Sequence, residues 1–211
     1  MAKHFEFTGD ERVFEGVTVH RIRALVDLPE LNVVAGDVGG WVESEDNVSD
    51  SAWVMGEAVV CQDARVMDSA VVSGSAVVSG QAKVQGKAKV NGSVTIMDNA
   101  QVCDDVELAG VITVSVNALV CGNALVTGEV LVTDNAQVRD DVEISGKVKF
   151  LGNAQVFGSA LISGSCRIED DAQVFEHAEL YGRVRVKDRA QVHGSAVVYG
   201  KVKIKGKSNV H

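Results

Sequence analysis

Residues 70–84 read Ala70-Val71-Val72-Ser73-Gly74-Ser75-Ala76-Val77-Val78-Ser79-Gly80-Gln81-Ala82-Lys83-Val84, with Ala-x-Val returning every six residues. Working outward, every position divisible by six from Val42 to Val210 is aliphatic, apart from Phe150, through 29 consecutive rungs. Two residues before each rung, from Ala52 to Ser208, stands a small or β-branched residue, mostly Ala, with Val94, Ile112 and Cys166 among the variants. Nothing shifts the count. A period of six kept this strictly predicts a coiled β-solenoid.

Residues i−2 and i fall on one side of a short strand, because side chains alternate with period two. Each strand therefore delivers one small and one larger group to a narrow core. Two residues after each rung, 23 of the 26 positions from Gly56 to Gly206 are Gly or Asp, the exceptions being Gln62, Val116 and Glu176. Gly and Asp tolerate the backbone angles of a sharp corner. A longer period sets the number of faces: the segment Asp98-Asn99-Ala100-Gln101-Val102 returns at Asp134, Gly152, Asp170 and Asp188, at spacings of 18 or 36 residues. Three hexapeptides thus make one coil, and equivalent residues stack about 4.8 Å apart. The sequence predicts an all-β, three-sided, single-stranded parallel β-helix over 42–211, a little over nine coils and roughly 45 Å long.

The first forty residues do not repeat. Residues 1–41 are expected to form a small N-terminal β cap: a short strand near His4–Phe7, a turn at Gly9-Asp10, and an extended strand within Phe14–Leu28. An open solenoid end exposes apolar core and an unpaired edge, and Trp41 is placed as the lid over it. Gly36–Gly40 is a poor phosphate cradle, because no Lys-Ser/Thr follows and the next element is a strand.

Leu25-Val26-Asp27 followed by Val34-Ala35-Gly36-Asp37-Val38-Gly39-Gly40-Trp41-Val42-Glu43 resembles the lead-in of the YdcK-like β-helix proteins of bacteria and their prophages, in which a short β cap precedes Gly-x-Ala-x-Val hexapeptides. That resemblance implies a left-handed helix and brings no catalytic residues with it. A second resemblance is to the bactofilin-type polymer-forming solenoids, whose three-sided coils have the opposite hand.

Composition narrows the classes. No run of 18 apolar residues exists, so a membrane partner is not expected. No charged-then-apolar leader opens the chain, which predicts a cytoplasmic protein. Cys61, Cys103, Cys121 and Cys166 fit no Cys-x-x-Cys or metal spacing and are expected to be free thiols, with Cys103 and Cys121 stacked one coil apart. No cofactor and no metal are expected.

The hexapeptide acyltransferases share this pitch, and they use a His general base beside a loop excursion that walls the donor site. Only His177 and His193 lie within the repeats, and no insertion interrupts them. The chain is therefore read as non-enzymatic. Outer columns such as Asn99, Asn117, Asn135, Asn153 and Gln137, Gln155, Gln173, Gln191 read as amide ladders along the rod.

Two outer columns suggest binding. Val59, Val77, Thr95, Thr113 and Leu131 continue as Lys149, Arg167, Arg185 and Lys203, and a second column ends in Phe157, Phe175, His193 and His211. From Arg183 to His211 the chain has net charge +7 against −9 overall, so residues 1–182 carry −16. Edge lysines also guard against end-to-end strand pairing. The sequence thus predicts a rigid structural or protein-interaction module with an unidentified protein partner, self-associating as a homodimer or homotrimer. Bulk nucleic-acid binding disagrees with the overall acidity. The alternatives are an acidic, nucleic-acid-mimicking inhibitor of a host defence protein, and then an acyltransferase.

Overall fold

The computed structural model describes residues 3–211. Strands β1 (Phe5–Phe14) and β2 (Val17–Ala24) form an antiparallel hairpin closed by Glu15 and Gly16, with φ of 46° and 89°. Positive φ at both central residues matches the right-handed strand twist. The turn expected at Gly9-Asp10 is instead a bulge inside β1, where the register shifts between Phe7 and Glu11. Strand β3 (Val38–Val42) then pairs antiparallel with β2 and parallel with the strand Val59–Val60, Trp41 facing Val59 and Val42 facing Val60. The hand-over from cap to solenoid therefore falls within one strand.

The lid is the hairpin, not Trp41. Phe5, Ile22, Ala24, Leu28 and Val33 of the cap join the solenoid core. Trp41 lies on the outer side, as alternation from inward Val42 requires. The guanidinium groups of Arg12 and Arg21 sit 4.3 and 4.9 Å from its ring, and its Nε1 donates to Glu57 at 3.2 Å. The buried tryptophan is Trp53. Gly39 and Gly40 have a packing cause: a Cβ on Gly39 would lie 2.6 Å from Ile22 and from the Val54 carbonyl, and one on Gly40 2.7 Å from the Ala58 carbonyl.

Beyond β3 every pairing in the solenoid is parallel and joins residue i to i+18, from Trp53 with Val71 to Val192 with Val210. Three stacks of strands follow. Face 1 carries the rungs Val60, Val78, Ile96 and on to Ile204; face 2 runs from Val66 to Val210; face 3 from Val54 to Val198. The rung residues and their small partners two positions earlier are buried almost without exception, Phe150 included. Each coil gains its apolar burial only from its neighbours. One buried polar residue stitches the start: Asn47 donates from Nδ2 to the carbonyls of Gln62 and Ala64, both at 2.9 Å, while its Oδ1 accepts the Ser44 amide.

The three corners differ. Every sixth residue from Asp50 to Gly206 has positive φ, including Gln62, Val116 and Glu176. Between faces 3 and 1 the corner is glycine in every coil, Gly56 through Gly200, and at five of those coils strands such as Lys89–Ile96 and Glu107–Val114 run unbroken around it. Faces 3 and 1 accordingly share one 16-stranded sheet, while face 2 forms its own sheet of nine strands. Here a Cβ on Gly110, Gly128 or Gly146 would lie 2.4–2.5 Å from the next coil's glycine carbonyl oxygen. At the other two corners acids and glycines are mixed, and the acids have a part of their own. The carboxylates of Asp68, Asp104 and Asp140 accept the amides of Gly86, Gly122 and Gly158 one coil on, at 2.9, 3.0 and 2.9 Å. Asp134 and Asp188 do the same for Gly152 and Gly206. Much of the chain's acidity is therefore a corner cap satisfying amides at a turn.

Candidate functional site

The strands of face 1 place Lys149, Arg167, Arg185 and Lys203 in one outward column, in the direct register Lys149 with Arg167, Arg167 with Arg185 and Arg185 with Lys203. Strand spacing sets these cations about 4.8 Å apart in backbone position. Between two of them lies Glu169, buried, and both arginines turn to it: Arg167 through Nε, Arg185 through Nε at 2.7 Å and through Nη2. Burial alone pushes the Glu169 carboxyl up, and the bonds from Arg185 and Arg167 together outweigh it, so the group stays ionised below the usual carboxylate range. Glu169 thus holds two guanidinium groups side by side against their mutual repulsion.

Four further residues complete this region, and the sequence columns missed them. Positions i−3 also point outward, and on face 1 they bring Lys147, Ser165, Arg183 and Lys201 alongside the first column. Although no insertion interrupts the repeats, this face is locally hollow. Ser165 is the small residue in this column, and a depression of roughly 270 Å³ opens over it, walled by Lys147, Lys149, Arg167, Arg183 and Arg185. A second hollow of roughly 410 Å³ follows between Arg183, Arg185, Lys201 and Lys203. The signal was available: a lone Ser between Lys and Arg at 18-residue spacing.

Phe157, Phe175 and His193 lie on face 2 and are not part of that basic region. Their rings stack with centroids 4.9 and 4.8 Å apart and planes within 6°, and His211 continues the pile at 5.8 Å. Arg139 caps the other end, its guanidinium 5.6 Å from the Phe157 ring. Because the faces are spent on each other, the stack offers edges to a partner. His193 also bonds Asn209 at 2.5 Å through Nε2 and has Glu176 3.7 Å from Nδ1. Beside the stack run the expected ladders, Gln191 to Gln173 at 2.8 Å and Asn99, Asn117, Asn135 and Asn153 linked at 3.1 Å.

Further down the same column Cys103 and Cys121 are stacked and free, and with Asp104 they bring three donor atoms within 4.8 Å of one another. Burial, reinforced by the neighbouring thiol and Asp104, pushes Cys103 to about 12, and burial raises Cys121 too. Neutral thiols are poor ligands, and the Asp104 carboxylate is already bonded to Gly122. The uncharged start of the outer column on face 1 needs a correction: Val59 is buried under the hairpin against Val19, so only Val77, Thr95, Thr113 and Leu131 are partly open.

No protein-family model matches the chain, and no curated protein matches it. Among the described residues no helix is long and apolar enough to cross a membrane.

Proposed function

We propose that the protein works as a rigid rod that presents surfaces to other macromolecules, a structural or interaction module and not an enzyme. The observation that carries this reading is the unbroken i to i+18 register from Trp41 to Val210, with no excursion that would bring chemistry-bearing residues from separate coils around one reacting atom. The partner is a protein still to be identified, the location is the cytoplasm, and the rod self-associates as a homodimer or homotrimer through Val77 and Thr95 or through the aromatic column. The likeness of Leu25–Glu43 to the YdcK-like lead-in supports a phage or prophage origin.

The acyltransferase reading has less support. His193, one of its two candidate bases, is stacked between Phe175 and His211 and bonded to Asn209. The nucleic-acid-mimic reading has one observation in its favour, carboxylate sets at Asp104, Asp105, Glu107 and again at Asp140, Asp141, Glu143, two coils apart. Against it, Asp104 and Asp140 are corner caps. The test is affinity capture with the intact chain, followed by cross-linking to map the contacted face, alongside thermal melts with acyl-coenzyme A. A defined partner cross-linked to one face supports the module. Stabilisation of several degrees by an acyl-coenzyme A, lost in His177→Ala or His193→Ala, would overturn it.

A further inference from the structure

The rod treats its two charge signs differently. On face 3 one outward column runs Glu107, Leu125, Glu143, Leu161, Glu179, Val197, so each acid is separated from the next by an apolar residue. At one corner Asp68, Asp104, Asp140 and Glu176 are separated in the same way by Gly86, Gly122 and Gly158, whereas Asp50 with Asp68 and Asp170 with Asp188 are direct stacks of two. Like charges directly opposite in neighbouring strands repel, and the alternation relieves it. The C-terminal half of face 1 lacks this dilution. Lys149, Arg167, Arg185 and Lys203 stack without interruption, and Arg183 and Lys201 stand beside them.

Internal pairing covers only part of this charge. Arg167 and Arg185 share Glu169, and Lys147 meets Glu129 at 2.7 Å. Among the described residues Lys149 and Arg183 have no ion-pair partner, and neither do Lys201 and Lys203. Around the Ser165 hollow five cations therefore face two carboxylates, a surplus of three charges. The surplus surrounds a concavity. A lysine or arginine at 165 would have filled it.

We propose that the hollow over Ser165 is a binding site for phosphate groups, continuing into the second hollow so that a ligand with several phosphates lies along the rod axis. A single carboxylate brings one charge to a site with three to spare, whereas adjoining phosphates bring several charges in a short span. Arginine forks match phosphate oxygens bidentately, lysines act as point charges beside them, and the serine hydroxyl adds a donor at the floor. Glu169 holds Arg167 and Arg185 in place before any ligand arrives, which reduces the ordering cost of binding. The inference rests on the reading of the rod as a surface-acting module only in placing the site on a face. It is tested with purified protein and no partner, so either can fail alone.

The experiment is isothermal titration calorimetry of the full chain with sodium tripolyphosphate, with a twelve-residue deoxythymidine oligonucleotide, and with polyglutamate. Saturable tripolyphosphate binding that weakens with salt is expected, reduced at least tenfold by Arg183→Ala combined with Lys149→Ala. Ser165→Phe should reduce it similarly while leaving every cation in place, and Lys83→Ala, on face 2, should not. Circular dichroism melts confirm that each variant folds. Binding of tripolyphosphate with little gain for the oligonucleotide assigns a free oligophosphate, and binding of the oligonucleotide alone assigns a phosphodiester strand. Absence of saturable binding to either, equal binding by Ser165→Phe, or polyglutamate binding as tight as both would overturn the proposal.

Discussion

Gly128 and Gly152 occupy the same place in the hexapeptide, two residues after an aliphatic rung, and the structure assigns them different costs on substitution by alanine. Gly128 lies on the all-glycine corner with φ +93°, and an added Cβ would lie 2.4 Å from the Gly146 carbonyl oxygen. That oxygen accepts the Glu129 amide at 2.7 Å, so it cannot retreat without weakening the ladder. A side chain in the left-handed region costs about 1–2 kcal/mol, and a forced backbone shift with a damaged hydrogen bond adds about 1–3 kcal/mol. Gly128→Ala should therefore lose about 2–5 kcal/mol. Gly152 has φ +70°, and its Cβ would meet the Asp170 backbone at 3.1 Å, a contact that small adjustments relieve. Gly152→Ala should lose about 1–2 kcal/mol, mostly the left-handed preference. For a chain of this length about 2–4 °C accompanies each kcal/mol, so thermal melts by circular dichroism should drop by about 4–20 °C for the first and by about 2–8 °C for the second. Amide hydrogen exchange should show the Gly128 defect concentrated in the adjoining coils, since a solenoid's stability is local. Equal losses for the two variants would refute the distinction between these two glycines.

Ile144→Asp should bury an unpaired carboxylate among inward rungs and cost about 3–5 kcal/mol; an unchanged melt would mean that Ile144 does not face the core. Burial pushes the Cys61 thiol up to about 11, helped by Glu43 and Glu15, and Cys103 to about 12. Above pH 9 the unfolded chain releases these protons while the folded chain keeps them, so stability should fall as pH rises from about 9 towards 12; a Cys61→Ala, Cys103→Ala variant should show a shallower decline, and an identical slope would contradict the assignment. Glu169 titrates in the opposite sense, its folded carboxyl being held below the usual range, so its contribution should vanish as pH drops below about 4; Glu169→Gln should flatten that acid limb of the urea-midpoint profile. Light scattering should detect a homodimer or homotrimer, dissociated by Val77→Glu with Thr95→Glu or by Phe157→Glu with Phe175→Glu; a monomer at high concentration would end the self-association proposal.

The sequence by itself determined the class of fold, the 18-residue coil and the inward residues, because a period of six with two apolar positions admits one face per strand and any slip would expose the whole set. It also identified which outer residues stack, since a fixed coil length converts sequence spacing into position on the rod: the amide ladders, the Phe157–Phe175–His193 pile and the Lys149–Lys203 column follow from counting alone. Tertiary structure decided what counting cannot reach. The cap has no repeat, so only packing showed that Gly9 is a bulge, that Arg12 and Arg21 lie against the outward Trp41, and that the hairpin covers Val59. The composition of the corners pointed to turns, but only the distances to the neighbouring coil rank the glycines, from Gly128, whose Cβ would lie 2.4 Å from a carbonyl oxygen, to Gly200, which faces open space. The hollow over Ser165 belongs to the same class of fact. A depression is defined by how far adjacent side chains reach, and that depends on Glu169 drawing two arginines together across strands 18 residues apart.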